Sequence, residues 1–118
     1  MKTKVNPLKT NEIVFHVEEM QEGMYHMEQF YSNGLGASVV CHKNSYGGHA
    51  GRFEVAIKQY QHGTDPVMTG RVVIDHPIAK RHHCVEVITW LDFGDVDAIL
   101  KEIRNYNTGE YFYNERTN

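Results

Sequence analysis

At 118 residues the chain makes one domain, with room for one hydrophobic core and not for two. Apolar residues supply 41% and charged residues 23%, a balance that excludes wholesale disorder. The net charge of −3 leaves no basic footprint for a phosphate backbone, so nucleic acid is an unlikely partner. No window approaches the ~18 apolar residues of a membrane-spanning helix, and the N-terminal Met-Lys-Thr-Lys-Val lacks the apolar run of a secretory signal. The expectation is a cytoplasmic protein without a membrane partner.

Residues 1–9 form a lead-in segment, and Pro7 discourages helix before it. Ile13, Phe15 and Val17 alternate with Val14, His16 and Glu18, the period of two of a first strand. A short helical turn over Glu18–Glu22 competes with the end of that strand, and Gly23 stops either one. Met24–Ser32 and Leu35–His42 read as the next two strands, paired through a type I′ turn at Asn33-Gly34. Lys43–Gly51, with three glycines, is a loop, and Arg52–Tyr60 is a fourth strand with Phe53, Val55 and Ile57 on one face.

His62–Pro66 is a loop by its turn residues, and Gly70–Asp75 a fifth strand. His76-Pro77 breaks the pattern, leaving Ile78–His83 as a connector before a sixth strand at Val85–Trp90. The last element is the clearest. Asp92 caps a helix whose apolar stripe runs Val96, Ile99, Leu100, Ile103 and Tyr106, with Asn107 and Gly109 as its stop. The tail, residues 110–118, carries the aromatic run Tyr111-Phe112-Tyr113. These elements predict a single α+β domain over 1–118: an antiparallel β-sheet of about four to six strands with one C-terminal helix packed on one face.

Three kinds of chemistry are candidates. The loop Ser45–Arg52 can cradle an anion through backbone N–H groups, making Lys43, Tyr46, Gly47, Gly48 and Arg52 a site for a small nucleotide ligand. It has no Gly-Lys-[Ser/Thr] and leads into a strand, so a plain turn competes with that reading. Among eight histidines the densest group is Asp75, His76, His82, His83 and Cys84, the candidate for a metal-dependent hydrolase. Its spacing does not put two imidazoles on one helix face, and solvated loop histidines are the simpler account. Ser38, Cys41 and His42 form no nucleophile–base pair, since neighbours on a strand face apart; Asp75, Asp92 and Asp95 define no acid–base pair. Nothing points to an enzyme, and no cofactor is implied.

Cys41 and Cys84 lie too far apart for a disulfide framework or a zinc spacing, and read as buried free thiols. The third signal is aromatic. Tyr25, Tyr31, Tyr46, Tyr60, Tyr106, Tyr111, Tyr113 and Trp90 exceed what one small core must bury; about half are expected in the core, and the rest are of the kind that dominates interaction hot spots. Tyr46, Tyr111, Phe112 and Tyr113 are the candidate partner-binding residues.

Asn33-Gly-Leu-Gly-Ala-Ser-Val-Val40, His42 and Ser45-Tyr-Gly-Gly48 resemble a family of small uncharacterised bacteriophage proteins. Members carry Asn-Gly-Tyr-Gly-Ala-Ser-Val-Val, then His and Ser-Tyr-Gly-Gly, a strand ending in an Asp-Thr-Pro-Ile-like turn, and a C-terminal helix. Phe53–Ile57, Ile74–Ile78 and Trp90–Ile103 extend the likeness here; Leu35 and His76 depart from the usual tyrosine and threonine. The resemblance implies a phage accessory protein in the bacterial host cytoplasm. Such a protein acts by binding a bacterial host protein, as a stoichiometric inhibitor of a defence system, or by sequestering a signalling nucleotide. Self-association into a homo-oligomer stays open.

Overall fold

The structure, a computed structural model, describes residues 12–45 and 47–107. The expectations for the lead-in segment, Tyr46, Gly109 and the aromatic tail with Tyr111, Phe112 and Tyr113 fall outside these residues.

Six antiparallel strands and three helices make an α+β fold. The strands are β1 (Ile13–Gln21), β2 (Met24–Tyr31), β3 (Leu35–His42), β4 (Phe53–Gln59), β5 (Arg71–Val72) and β6 (Val87–Leu91). The helices are α1 (Pro66–Thr69), α2 (Pro77–Arg81) and α3 (Phe93–Arg104). The sheet runs β1-β2-β3-β4, and two short strands share the far edge of β4. There β5 pairs with Lys58 and Gln59, and β6 with the stretch from Phe53 to Ala56.

β1 continues as strand to Gln21, so the helical turn at Glu18–Glu22 does not form. The β2–β3 reversal falls where the Asn-Gly pair puts it, but not as a type I′ turn. Gly34 alone takes a left-handed φ, 92°, and its N–H donates to the Tyr31 carbonyl at 3.2 Å. This is the three-residue loop that places glycine at the left-handed position. Asn33 stays out of that conformation because its side chain is committed elsewhere. Its Nδ2 donates to the carbonyls of Ile103 and Tyr106, each at 2.9 Å, and its Oδ1 accepts from the Leu35 N–H at 3.0 Å.

Three further expectations need correction. The fifth strand shrinks to two residues, because Asp65 caps a helical turn at α1 and Val73 already leaves the strand. The connector after His76-Pro77 is a helix, since proline suits the first helical position as well as it breaks a strand. The last helix stops at Asn105, not Asn107.

One sheet face holds the core. Met27, Tyr31, Leu35, Ala37, Val39, Val55, Ile57 and Ile88 pack beneath Ile78 and Ala79 of α2 and Val96, Ile99 and Ile103 of α3. Each fully buried Ile side chain is worth about 1.5–3 kcal/mol relative to exposure. Cys41 and Cys84 are free thiols, but half-buried at the core margin rather than inside it. The opposite face is largely polar, with Lys58 on Glu28 at 3.0 Å and His26 between Glu19 and Glu28.

One end of that second face is apolar. Phe30 is fully buried there, edge-on to Tyr60 with ring centroids 5.5 Å apart and tilted on Phe15 at 6.0 Å. Its ring crosses Gly36, the residue opposite it on β3; a Cβ at Gly36 would fall 2.3 Å from Phe30 Cδ1. Gly36→Ala should therefore cost about 1–3 kcal/mol by overpacking, read from the urea midpoint. In the Phe30→Leu background the same change should cost less, because the two residues are in contact. A neutral Gly36→Ala contradicts this packing.

Candidate functional site

The β3–β4 loop is built on its own hydrogen bonds. The His42 carbonyl accepts from Ser45 N–H at 2.9 Å and Ser45 Oγ at 2.8 Å, while Ser45 Oγ accepts from His42 N–H at 3.0 Å. A single 3₁₀ turn, Gly48–Ala50, follows. The N–H groups of Gly48, Ala50, Gly51 and Arg52 donate to the carbonyls of Ser45, Gly47, Gly48 and Gly47, at 2.9–3.0 Å. These four amides, which an anion cradle could use, are spent inside the loop. Lys43 and Arg52 are exposed at its two ends, Gly47 and Gly48 lie between them, and Tyr46 is not described. Arg52 turns its charge toward Asp92, where it adds to the lowering of that carboxyl's pKa.

Against this loop stands a strained stretch of backbone, one of three places among the described residues where a non-glycine residue takes a left-handed φ. β6 spends three steps, Ile88 to Leu91, where β4 spends two, Val55 to Phe53; the extra residue makes a bulge. Within it Trp90 takes φ 61°, a left-handed conformation that costs an L-residue about 1–2 kcal/mol. The indole lies against Gly47, so that a Cβ there would sit 3.1 Å from Trp90 Cδ2. It meets the His49 ring edge-on at 6.0 Å, and still leaves Trp90 53% exposed.

Three residues on, α3 begins with a reciprocal cap. Asp92 Oδ1 accepts from the Asp95 N–H at 2.8 Å, and Asp95 Oδ2 accepts from the Asp92 N–H at 3.2 Å. The Asp95 N–H on its carboxylate is the main reason the Asp92 pKa falls below the usual range. Phe93, the first helical residue, is 74% exposed, with its ring 4.8 Å from that of Phe53. Phe53 in turn meets Tyr25 edge-on at 5.6 Å. Trp90 and Phe93 thus bracket the β6–α3 junction as two large apolar side chains facing water.

Of the aromatics expected at the surface, only Trp90 is widely exposed among the described residues. Tyr31 and Tyr60 are core, the latter donating its hydroxyl to the Tyr31 carbonyl. Tyr25 is half-buried and donates to Glu18 at 3.0 Å; burial first, then that carboxylate, raise its pKa to about 12. Phe93 was not singled out. It stands three residues before Val96, in line with the buried stripe, and only its place at the first helical position distinguishes it.

The histidine segment disperses. His76 caps α2: its Nδ1 accepts from the Ile78 N–H at 3.1 Å, and its buried ring packs on Tyr106 with centroids 4.7 Å apart. His82 ends α2 and turns to Glu102 at 3.2 Å, whereas His83 takes φ 60° at the surface and lies on no strand. Among the described residues no three His, Cys, Asp or Glu side chains gather into a set that can hold a metal ion.

In comparisons with known proteins, no family model, curated protein or solved structure matches the chain.

Burial, with Arg81 adding to it, lowers the His76 pKa below its ordinary value. The unfolded chain then binds the proton first as pH falls, so His76 contributes stability above about pH 6.5 and loses it below, down to its folded pKa. Urea midpoints measured from about pH 7.5 to 5 should fall more steeply for the wild type than for His76→Asn, which keeps a capping side chain. Parallel curves contradict the assignment.

Proposed function

We propose that the protein acts by binding another protein through the Trp90–Phe93 surface, as a stoichiometric inhibitor rather than as a catalyst. The observation that carries this reading is Trp90. A bulky residue in a left-handed backbone is rare, and such strain concentrates where function requires it. A chain selected only to fold gains from Asn or Gly at position 90 and from a polar residue at position 93. This one presents an indole and a phenyl ring three residues apart, on either side of a rigid junction.

The resemblance to small phage proteins supplies the class of partner: a bacterial host protein, in the host cytoplasm, belonging to a defence system. Tyr46 belongs to the loop against which Trp90 lies, and the tail with Tyr111, Phe112 and Tyr113 follows α3, so both are candidates to extend the surface. The alternative, a nucleotide-sequestering module using Lys43, Tyr46, Gly47, Gly48 and Arg52, has less support, because the amides of Gly48 and Arg52 already have acceptors within the loop.

The test compares tagged wild type with the double variant Trp90→Asn/Phe93→Glu in lysate of infected bacteria. Wild type should retain one host protein in near-equal molar amount, and the double variant none. Its melting temperature should stay within about 5 °C, since strain relieved at position 90 offsets lost contacts. Retention of the same protein by the variant contradicts the proposal. A melting temperature raised by nucleotide, and no longer raised in Arg52→Ala, would select the alternative.

A further inference from the structure

β1 is the most exposed of the long strands: of its nine residues only Phe15 is even half-buried. It ends the strand order, and among the described residues nothing pairs with its outer edge. Natural edges are blunted by Lys, Pro, other charges, bulges or short length. β1 has no Lys or Pro; its register shifts between Ile13 and Phe15 and it carries Glu18 and Glu19, but it is nine residues long and exposes Ile13, Val14, Val17 and Met20 by 36–76%.

The pairing with β2 determines which groups face outward. The hairpin closes at Gln21 opposite Met24 across a two-residue turn, and pairs alternate from there. Val17, Glu19 and Gln21 turn their N–H and C=O toward β2, while His16, Glu18 and Met20 turn theirs to the open edge. The edge is antiparallel-competent, and its residues are self-complementary about one point. A twofold axis normal to the sheet at Val17 sets His16 opposite Glu18 of the partner subunit, and by symmetry Glu18 opposite the partner's His16. It also sets Met20 opposite Val14 of the partner subunit, and Val17 opposite the partner's Val17.

Neighbouring registers fail on charge. An axis at Glu18 or Glu19 opposes that carboxylate to its own copy, one at Phe15 opposes Glu12 to Glu18 of the partner subunit, and one at His16 gives up both His–Glu pairs; the axis at Val17 opposes only Glu12 to Glu22 of the partner subunit, both beyond the ends of the strand. Like charges directly across a ladder are destabilising. We propose that the protein forms an isologous dimer through β1, antiparallel and in register about Val17, joining the two sheets into one. The inference rests on β1 alone and is independent of the functional reading. It leaves the Trp90–Phe93 surfaces free, because β6 lies across the sheet from β1.

Sedimentation equilibrium of the full chain, at concentrations up to about 1 mM, tests it with two surface variants. Wild type should pass from monomer to dimer with concentration. His16→Glu and Glu18→Lys should each remain monomeric, since the first sets a carboxylate opposite Glu18 twice and the second takes away, twice, the carboxylate that His16 faces. Their equimolar mixture should regain the dimer, because Glu at 16 then faces Lys at 18 and His16 faces Glu18; native mass spectrometry should find one copy of each. A monomeric wild type, a dimer indifferent to either variant, or a mixture that stays monomeric overturns the proposal.

Discussion

The side-chain amide of Asn33 ties the two halves of the fold together. A helix ends with carbonyls that have no intrahelical donor, and most helices answer with a glycine or with water. Here the donor comes from the β2–β3 turn, 70 residues earlier in the chain, and its own oxygen is held by Leu35. Asn33 is 1% exposed, so its amide cannot fall back on solvent, and it shares the Ile103 carbonyl with the Tyr106 N–H, which donates there at 3.2 Å. Buried groups left unpaired cost about 1–3 kcal/mol each, which makes this residue a junction rather than an ornament of the turn. The Asn-Gly pair thus does two jobs: glycine reverses the chain, and asparagine reaches across the core to stop the helix.

The consequence for function is positional. α3 is held at its C-terminus by Asn33, along its length by Val96, Ile99 and Ile103, and at its N-terminus by the Asp92–Asp95 cap. With both ends anchored, Phe93 has little freedom to withdraw from water. Trp90 is aimed by a different device, the bulge in β6, and braced by Gly47 of the β3–β4 loop. The glycine loop therefore contributes to the site as a support for an aromatic ring, and its internally bonded amides suit that task. Surfaces built on rigid elements lose little entropy when a partner lands on them.

Much of this was legible beforehand. The Asp92 cap, the stripe from Val96 to Ile103 and the alternation in β4 each follow from local rules that tertiary packing reinforced. The Asn-Gly pair locates the turn but does not give its type, because no local rule foresees that Asn33 bonds a helix end far along the chain. α2 is not legible in the sequence, since Pro77 carries opposite meanings in a strand and at a helix start, and His76 is an unusual cap. The patch was half legible. Trp90 was among the aromatics counted, whereas the bulge that turns it outward arises from a register difference between two strands, which composition does not record. Phe93 continues a buried periodicity, and its exposure depends on where the helix meets the sheet.

The central claim is that Asn33 couples the turn to the end of α3, and amide hydrogen exchange in Asn33→Ala tests it most directly. If the side chain joins the two, exchange should accelerate together in residues 31–35 and in the last turn of α3, with a global loss of about 3 kcal/mol or more. Faster exchange confined to the turn, with α3 as protected as in the wild type, would contradict the account.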